Sequence, residues 1–391
     1  MVIHYHYSVF ENSGEIRRIK NINKDGAFSL SDNVIEVVFF SVKHLPRILH
    51  GNVFKLNDRV SQKLYVPTIP SASRNIVLEY LDSIWTSFVL LVLSLIYKPT
   101  YIIGEYSLAS KSMKLCKKVL SRVKFIVDVH GAVPEEYEYN VENPKPWLLK
   151  MLTEYEQLSI DWASLVICQS DEMKRHLSHK YKCNLDKICV YRCGVDTNLF
   201  CMDLSKRELI RKELGVADED VVFVYSGGLH KWQKIDESIQ FFQQYYMGNP
   251  NSYMLILTQE QSKLKSVLSK FGEDISSRVI ARSLSFDKVP DFLNVADYAF
   301  LMRDDTLMNA VAYPTKLGEY FACGLPVVTT QVAKKWVAED AFDFFIFSDS
   351  TKFLFAPKND IRDSIRNYAI CNLSLDIDYL NLQKYLGDLN N

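Results

Sequence analysis

Lys316 and Glu319 lie three residues apart, and Pro314 and Gly324 mark the two ends of a short helix that contains them. Residues at this spacing share one face of a helix, so the ammonium and the carboxylate are close together. A cation beside a helix N-terminus binds phosphate, and a carboxylate accepts hydrogen bonds from hydroxyl groups such as those of a ribose. The alternative interpretation is an ordinary intrahelical ion pair, worth about 0.2–0.5 kcal/mol.

A second segment that can bind an anion contains a pair of glycines. Residues 221–225 read as an apolar strand, which runs into Ser226-Gly227-Gly228 and then into a helical pattern that opens at Ile235. Glycine lets the backbone approach a ligand closely, and the free N–H groups of a helix N-terminus favour phosphate. The same pair is equally typical of a plain tight turn, so this segment alone does not decide between the two.

Both segments belong to a chain in which short β-rich runs alternate with helical patterns along nearly its whole length. Such alternation predicts parallel sheets covered by helices on both faces. The predicted strands lie at 2–6, 35–40, 101–104, 124–129, 165–168, 188–191, 221–225, 253–257, 278–281, 298–302 and 326–329. Ligands bind beyond the carboxyl ends of strands in such sheets, so the loops after strands are the expected sites.

A chain of 391 residues exceeds what one hydrophobic core usually organises. The sequence therefore predicts an α/β fold with two Rossmann-like, doubly wound domains that face a central cleft. We expect the N-terminal domain to span residues 1–200 and the second domain to span residues 201–375. The last segment, residues 376–391, is expected to pack back on the N-terminal domain.

Composition and charge exclude several classes of protein. The formal net charge is −1, which gives no electrostatic reason to expect binding to nucleic acid. The eight cysteines form no C-x-x-C pair, so we expect the reduced thiols of a cytoplasmic protein. The pair Asp304-Asp305 lacks the spacing of a metal-binding Asp-x-Asp motif and is interpreted as a solvated turn. We therefore expect neither a metal nor a cofactor.

An apolar run at residues 87–97 raises the question of a membrane. It is shorter than the roughly 20 residues of a bilayer span, and charged residues flank it. The run fits a helix buried between the sheet and its neighbours, which we favour, or a surface that docks on lipid at the cytoplasmic face of a membrane. Lys111, Lys114 and Lys118 share one face of the next helical pattern, which fits lipid docking and a solvated face equally.

Four segments resemble one family of enzymes. Residues 314–327 resemble the Pro-x-Lys-x-x-Glu-Tyr-x-Ala-x-Gly-x-Pro-Val element of retaining GT-B glycosyltransferases of glycosyltransferase family 4. The other three segments are 191–200, similar to the Gly-Val-Asp-x-x-x-Phe linker of the family, 166–177, and the histidine-containing loop 128–136. The resemblance covers about residues 100–330, and the pair Trp232-Gln233 resembles a branch of the family found in bacterial surface-polysaccharide assembly.

The resemblance implies a hexosyltransferase that moves a sugar from a nucleotide-diphosphate sugar to a glycan or lipid-linked saccharide, with retention and without a metal. His130 is expected to hydrogen-bond the transferred sugar through a neutral imidazole, Glu319 to hold the ribose, and Lys316 to stabilise the diphosphate. The expected donor-binding residues are Gly14, Gly228, Lys231, Lys234, Arg303 and Thr315. Glu135 and Glu136 are expected on the acceptor side, where either could act as a general base.

Three residues depart from the family pattern. Val311 stands where the family has the first glutamate of its pair, and Gly228 and Gln233 stand where many relatives have Arg and Lys. The expected substitutes for the missing cations are, in order of preference, Lys316, Lys231, Arg303 and Lys234. Arg17 or Arg18, near Gly14, either assists at the phosphates or is solvated. The departures leave two alternatives open: a nucleotide-sugar epimerase of the same fold, and an inactive scaffold for another transferase.

Overall fold

The computed structural model describes residues 1–7, 14–31, 33–46, 62–69, 75–106, 108–349 and 357–390. The chain forms two compact units. The first comprises Met1–Cys193 and Asp378–Asn391, and the second comprises Gly194–Ile377. The chain therefore leaves the first unit after Cys193 and returns to it at Asp378, beside the boundaries expected at residues 200 and 376.

The first unit is built on a parallel sheet of seven described strands. They are β1 (Val2–His6), β2 (Val34–Ser41), β3 (Gln62–Thr68), β4 (Tyr101–Glu105), β5 (Lys124–Val129), β6 (Leu165–Cys168) and β7 (Ile188–Val190). Their order across the sheet is β3-β2-β1-β4-β5-β6-β7. Most are runs of β-branched and aromatic residues buried on both faces, as parallel strands covered by helices require.

Helices connect these strands. They are α1 (Gly14–Ile22), α2 (Phe28–Leu30), α3 (Ile76–Tyr97), α4 (Ser110–Val119), α5 (Val133–Asn140), α6 (Pro146–Trp162) and α7 (Asp171–Tyr181). Polar side chains fix where two of them begin. The Asn75 side chain accepts a hydrogen bond from the backbone N–H of Val77 at 2.8 Å, and Ser170 Oγ accepts one from Met173 at 3.0 Å.

The second unit repeats this plan with six described strands, all parallel. They are β8 (Val221–Ser226), β9 (Ser252–Leu257), β10 (Val279–Arg282), β11 (Tyr298–Leu301), β12 (Val327–Thr329) and β13 (Phe345–Phe347), in the order β10-β9-β8-β11-β12-β13. Its helices are α8 (Leu204–Leu214), α9 (Ile235–Gly248), α10 (Gln261–Leu268), α11 (Gly272–Ser277), α12 (Val289–Leu293), α13 (Leu307–Val311), α14 (Thr315–Ala322) and α15 (Asn359–Asn372). The predicted fold class, with two parallel α/β sheets, is confirmed.

Each sheet has a point where the strand order reverses. It lies between β1 and β4 in the first unit and between β8 and β11 in the second. Loops that leave the carboxyl ends of strands at such a point diverge and open a crevice for a ligand. The loops after β4 and β8, which begin at Tyr106 and Gly227, are therefore the expected positions of ligand-binding residues.

Helix α3 corrects one prediction, because it is not buried on all sides. One face exposes large apolar side chains: Val77, Tyr80, Leu81, Ile84, Trp85, Phe88, Leu95 and Ile96. The opposite face packs polar groups inward, where the Lys111 ammonium contacts Glu79 at 2.8 Å and Asp82 at 2.5 Å. The favoured buried-helix interpretation was wrong because these acidic groups, together with buried Ser83 and Thr86, anchor the helix. Lys111 is consequently not a solvated cation.

The sequence did not predict β3, α5 and β13. β3 is an edge strand that carries Pro67 and charged Lys63, so its alternation is weak, and proline is tolerated at such an edge. β13 has only three residues. Short or edge elements carry too little periodicity to be distinguished from loops.

The terminal helix α16 (Leu375–Asn390) completes the core of the first unit. Leu382 and Leu386 are buried in the same cluster as Val2 and Ile22. Asn381 Nδ2 also donates a hydrogen bond to the Val190 carbonyl at 2.7 Å. These contacts join the two ends of the chain within one hydrophobic core.

The eight cysteines are all free thiols. Five of them are buried: Cys116, Cys168, Cys189, Cys193 and Cys323. Burial raises the pKa of Cys116 to about 11 and that of Cys168 to about 12, because a thiolate is poorly solvated there. These cysteines behave as small core side chains.

Candidate functional site

The loop after β8 brings backbone and a cation together in the second unit. Gly227 follows the strand with a φ of +132°, a conformation that favours glycine. A Cβ atom at this position would collide with the side chain of Lys316. Lys316 is the second residue of α14, where the backbone N–H groups of the first turn lack intrahelical acceptors. Glycine is therefore required for the loop to lie against Lys316.

The Lys316 ammonium has polar but uncharged neighbours. It donates to Gln233 Oε1 at 3.0 Å and lies 3.4 Å from the Tyr225 hydroxyl, 4.7 Å from the centre of that ring. Among the described residues, no carboxylate lies within ion-pair distance of it. Burial and the positive charge of Arg303 lower the pKa of Lys316 to about 7. The empty protein therefore holds this lysine close to the point where it loses its proton.

Arg303 is the second cation of this site. It follows β11, is buried, and donates from Nη1 to the adjacent Met302 carbonyl at 2.7 Å. No described carboxylate forms an ion pair with its guanidinium, and burial lowers its pKa. Proteins normally pair buried charges, because each unpaired one costs several kcal/mol. Buried Arg303 and partly buried Lys316, both at the reversal point of the sheet, form a site that an anion would complete.

Thr315 and Glu319 flank Lys316 on the same helix. Thr315 begins α14, and Glu319 is buried one turn later, where its charge opposes the lowering of the Lys316 pKa. The first two turns of this helix thus carry both a cation for an anionic ligand and a carboxylate for hydroxyl groups. The sequence predicted this pairing from the three-residue spacing.

The other residues expected at the donor differ in their surroundings. Lys234 forms ion pairs with Asp304 at 2.6 Å and Glu237 at 2.9 Å, so its charge is already compensated. Asp304 is accordingly an ion-pair partner whose side chain stays 47% exposed, which agrees with the expected solvated turn. Lys231 is exposed in the turn Lys231–Gln233. A Cβ atom at Gly228 would approach Glu260 Oε1 to 2.9 Å, so glycine leaves room for that carboxylate.

In the first unit, His130 follows β5 and lies over two buried carboxylates. Its Nε2 atom is 2.5 Å from Glu105 Oε2 and 2.8 Å from Asp128 Oδ2. The Tyr106 ring packs against the imidazole with 4.6 Å between ring centres, and Tyr106 adopts a φ of +71°, rare for a non-glycine residue. Burial alone would lower the pKa of His130, but Asp128 and Glu105 raise it to about 9. The two carboxylates therefore favour the protonated imidazole over the neutral form expected from the sequence.

The carboxylates beneath His130 have further partners. Arg18 donates to both oxygens of Asp128, at 2.7 Å from Nε and 2.5 Å from Nη2, and to the Tyr191 carbonyl at 2.6 Å. His4 hydrogen-bonds Glu105 through Nε2 and Asn23 through Nδ1. Arg18 is thus buried and not solvated. The loop before Gly14, residues 8–13, lies outside the described residues, and Gly14 itself begins α1.

The two glutamates after His130 have opposite environments. Glu135 accepts an ion pair from Lys180 at 2.7 Å and lies 3.3 Å from His176 Nε2, and these partners overcome burial and lower its pKa to about 2. Glu136 makes no ion pair within the part of the chain that the structure describes. Burial and the nearby negative charges of Glu156 and Glu135 raise its pKa. Glu136 is therefore the carboxyl group suited to exchange a proton.

Glu105, Asp128 and His130 also have ligand atoms close enough together to hold a metal ion. Their N–O distances of 2.5 and 2.8 Å are hydrogen bonds, and Arg18 occupies both oxygens of Asp128. The Arg18 guanidinium therefore already neutralises the Asp128 charge that a bound metal ion would need. We therefore interpret the trio as a hydrogen-bonded ion cluster.

Sequence reasoning missed Glu105, His4 and the role of Arg18. Glu105 and Asp128 are direct neighbours in the parallel register of β4 and β5, one from each strand. The available signal was a charged residue within an otherwise apolar strand, since strands buried on both faces seldom carry one without a partner. That signal identifies Glu105 and Asp128 but not the helix residue that pairs with them.

Known proteins match both the sequence and the fold. The family model Glycosyltransferase Family 4 matches residues 34–199. A chitobiosyldiphosphodolichol beta-mannosyltransferase of Debaryomyces hansenii is 26% identical over 230 residues, which cover 54% of this chain and 48% of that protein. The chain spans about half the length of this curated relative.

Solved structures match over nearly the whole chain. Anabaena HepE in complex with UDP has a TM-score of 0.69 at 15% identity, with 99% of both chains covered. A glycosyltransferase of Rickettsia africae has a TM-score of 0.66 at 16% identity, over 100% of this chain and 98% of that one. The lipopolysaccharide glycosyltransferase WaaG has a TM-score of 0.59 at 13% identity, over 98% and 95%.

Residues 34–199 are similar to glycosyltransferase family 4, and the chain shares its fold with solved glycosyltransferases. The matched residues include the segments 128–136 and 166–177, whose resemblance to the family is thereby confirmed. Lys316 and Arg303 lie beyond the matched residues, in the second unit. The roles of its individual site residues remain predictions.

Proposed function

We propose that this chain is a glycosyltransferase that moves a sugar from a nucleoside diphosphate sugar to a glycan or lipid-linked saccharide, with retention and without a divalent metal. The observation that carries the proposal is the pair of partly buried Lys316 and buried Arg303, two cations without a described carboxylate partner, beside a glycine loop and a helix N-terminus. HepE, which shares the fold, was solved with UDP and with UDP-glucose. The name of the Debaryomyces relative supports a lipid-linked diphosphate saccharide as acceptor.

The chemistry follows from charge. When the bond between sugar and diphosphate breaks, negative charge grows on the leaving phosphate and positive charge grows on the sugar ring. Lys316, Arg303 and the first-turn N–H groups of α14 stabilise the leaving charge in a site with few competing anions. The departing phosphate takes the proton of the attacking hydroxyl. Glu136, with its raised pKa, is the alternative proton acceptor, whereas Glu135 is neutralised by Lys180.

Calorimetric titration with UDP and with GDP, in EDTA, tests this proposal and makes a quantitative prediction. Above pH 7 the Lys316 ammonium is largely deprotonated in the empty protein, and a bound diphosphate favours the charged form. At pH 8, binding should therefore take up close to one proton, and affinity should fall as the pH rises from 7 to 9. Proton uptake is measured by repeating the titration in buffers of different ionisation enthalpy.

Lys316→Arg is the matched control, because an arginine stays protonated at these pH values. This variant should bind the same nucleotide without proton uptake at pH 8. Failure of the wild-type protein to bind either nucleotide would favour the scaffold alternative. Binding that disappears in EDTA and returns with a divalent ion would contradict metal independence.

Incubation with donor alone separates transfer from epimerisation. A nucleotide-sugar epimerase would convert the donor without an acceptor, whereas a transferase leaves the sugar configuration of unreacted donor intact. Product analysis of the anomeric linkage with acceptor present tests retention. An inverted linkage would overturn that part of the proposal.

We also propose that the exposed face of α3 docks on the lipid surface where such an acceptor would reside. Its apolar side chains include Trp85 and Tyr80, residue types that favour a membrane interface, and its polar face is held by Lys111. Ile84→Glu should lower binding to anionic phospholipid vesicles by about tenfold, because a side chain that is 62% exposed would no longer enter the lipid. Vesicle sedimentation measures this effect.

Leu209→Glu provides the control, since Leu209 is 61% exposed on α8 of the second unit. The control should sediment with vesicles as the wild-type protein does. Equal losses in both variants, or no vesicle binding by the wild-type protein, would contradict the docking of α3.

A further inference from the structure

The ion cluster under His130 has a definite charge balance. Glu105 and Asp128 bring two negative charges, and Arg18 neutralises one of them through two hydrogen bonds to Asp128. One negative charge remains for two imidazoles, His4 and His130, which contact different oxygens of Glu105. The two histidines therefore compete for the charge of one buried carboxylate.

The hydrogen bonds also fix which ring nitrogen of His130 is available. Both carboxylates accept from Nε2, so that nitrogen carries a proton and points inward. Within the described ranges, Nδ1 of His130 has no hydrogen-bond partner. In a neutral ring with Nε2 protonated, Nδ1 is an acceptor, and only in the cation is it a donor. The charge state of His130 therefore decides what this residue offers a ligand.

We propose that Glu105 and Asp128 are positioning residues for His130: they hold Nε2–H inward and keep the ring cationic, so that Nδ1–H is the donor presented to a substrate oxygen. This inference rests on the proposed function only for the identity of that oxygen. A cationic His130 cannot act as general base, and it presents positive charge to the oxygen that accepts from Nδ1–H. Protonation of His4 lowers the pKa of His130, because the Glu105 carboxylate then stabilises a second positive charge.

The groups that face His130 are few and come from separate elements. Glu105 ends β4, Asp128 lies in β5, and the Tyr106 ring covers one side of the imidazole. Behind them stand Arg18 of α1 and His4 of β1. The next carboxylate outward, Glu36, hydrogen-bonds His6 at 2.8 Å and contacts Lys63 at 3.2 Å, and its charge also favours the protonated form of His4.

The test is a pH titration of the histidine side chains by NMR in the full chain, with the His130 signal assigned from the His130→Gln variant. In the wild-type protein the His130 signal should titrate near pH 9, because the two carboxylates raise the pKa of His130. Glu105→Gln should lower this midpoint by about one to three pH units, because one neighbouring charge is removed. His4→Gln should raise it, because the competing cation is lost.

His6→Gln is the matched control, a substitution two residues along β1 in the separate His6–Glu36 pair. It should leave the His130 midpoint within a few tenths of a pH unit of the wild-type value. Opposite shifts from Glu105→Gln and His4→Gln are the signature that a merely structural role would not produce. A wild-type midpoint near the ordinary histidine value of about 6.5 would overturn the proposal.

Two further outcomes are decisive. If Glu105→Gln does not fold, the proposal is tested by the wild-type midpoint and by the shift in His4→Gln. An upward shift in His4→Gln supports the proposal, and a downward shift overturns it. A His130 signal that disappears on addition of Zn²⁺ would show a metal site and overturn it as well. The titration needs no substrate, so absence of sugar transfer would sink the proposed function while leaving this result intact.

Discussion

Lys316→Met will weaken UDP binding by about 10- to 100-fold, because it removes a charge-assisted hydrogen bond worth about 1.5–3 kcal/mol. The loss in the rate of sugar transfer will be larger, about 10²- to 10³-fold in kcat, since negative charge increases on the diphosphate as the bond to the sugar breaks. Methionine keeps the length of the side chain, so the packing against Gly227 and Tyr225 is retained. Calorimetry gives the affinity, and steady-state assays with the donor give kcat.

Lys212→Met is the control for this experiment. Lys212 is exposed in the last turn of α8. That turn comes before the start of β8, whereas Gly227 follows the end of β8, so the two residues lie toward opposite ends of the strand. The control should bind UDP and turn over as the wild-type protein does. Unchanged UDP affinity in Lys316→Met would rule out this lysine as the diphosphate ligand and leave Lys231 and Arg303 as the candidates.

Arg18→Met will destabilise the first unit by about 3–5 kcal/mol. The substitution removes both arginine hydrogen bonds from buried Asp128 and leaves His130 as its remaining charged neighbour among the described residues, and the loss of one partner from a buried ion pair costs about this much. Hydrogen–deuterium exchange of peptides from β1, β4 and β5 measures the effect within the first unit. A method confined to one unit is needed because a chain of two units need not unfold in a single transition.

Arg175→Met tests the same chemical change at an exposed site. Arg175 pairs with Glu172 at 2.7 Å on α7, but its side chain is 61% exposed, so the expected loss is below about 0.5 kcal/mol. Adding Asp128→Asn to Arg18→Met should recover part of the stability, since the buried charge is then removed. A similar small effect for Arg18→Met and Arg175→Met would mean that the buried pair contributes no more than a surface pair.

The second-unit site could be predicted because its residues are close in sequence. The spacing of Lys316 and Glu319 is enough to place them on one face of a helix, and Gly227 indicates a loop at the end of an apolar strand. What the spacing could not supply was the environment of Lys316. The low pKa of that lysine depends on burial and on Arg303, which comes from another strand. Local pattern specifies which residues share an element but not which charges meet across a sheet.

The first-unit cluster shows the same limit more strongly. His130 could be singled out from its own loop, yet its protonation depends on Glu105 from β4, Arg18 from α1 and His4 from β1. These residues are brought together by strand order, since β1 lies beside β4 and β4 beside β5. The order of strands in a doubly wound sheet is a property of the whole domain, so a neutral imidazole was the natural expectation from sequence.

Glu135 and Glu136 illustrate a different limit. Adjacent residues on a helix point about 100° apart, so two neighbouring carboxylates rarely share an environment. Here one turns toward Lys180 and the other packs over Gly131, where a Cβ atom would collide with its carboxyl group. Their sequence position made them equivalent candidates, and only the partners supplied by α7 separate them.

The return of α16 to the first unit has a consequence for how the protein is made. Leu382 and Leu386, which fill the core beside Val2, are synthesised after the whole of Gly194–Ile377. The nascent chain therefore holds an incomplete N-terminal core throughout the synthesis of that segment, and the second unit is the first that can finish folding. This reverses the usual N-to-C order of domain folding during translation.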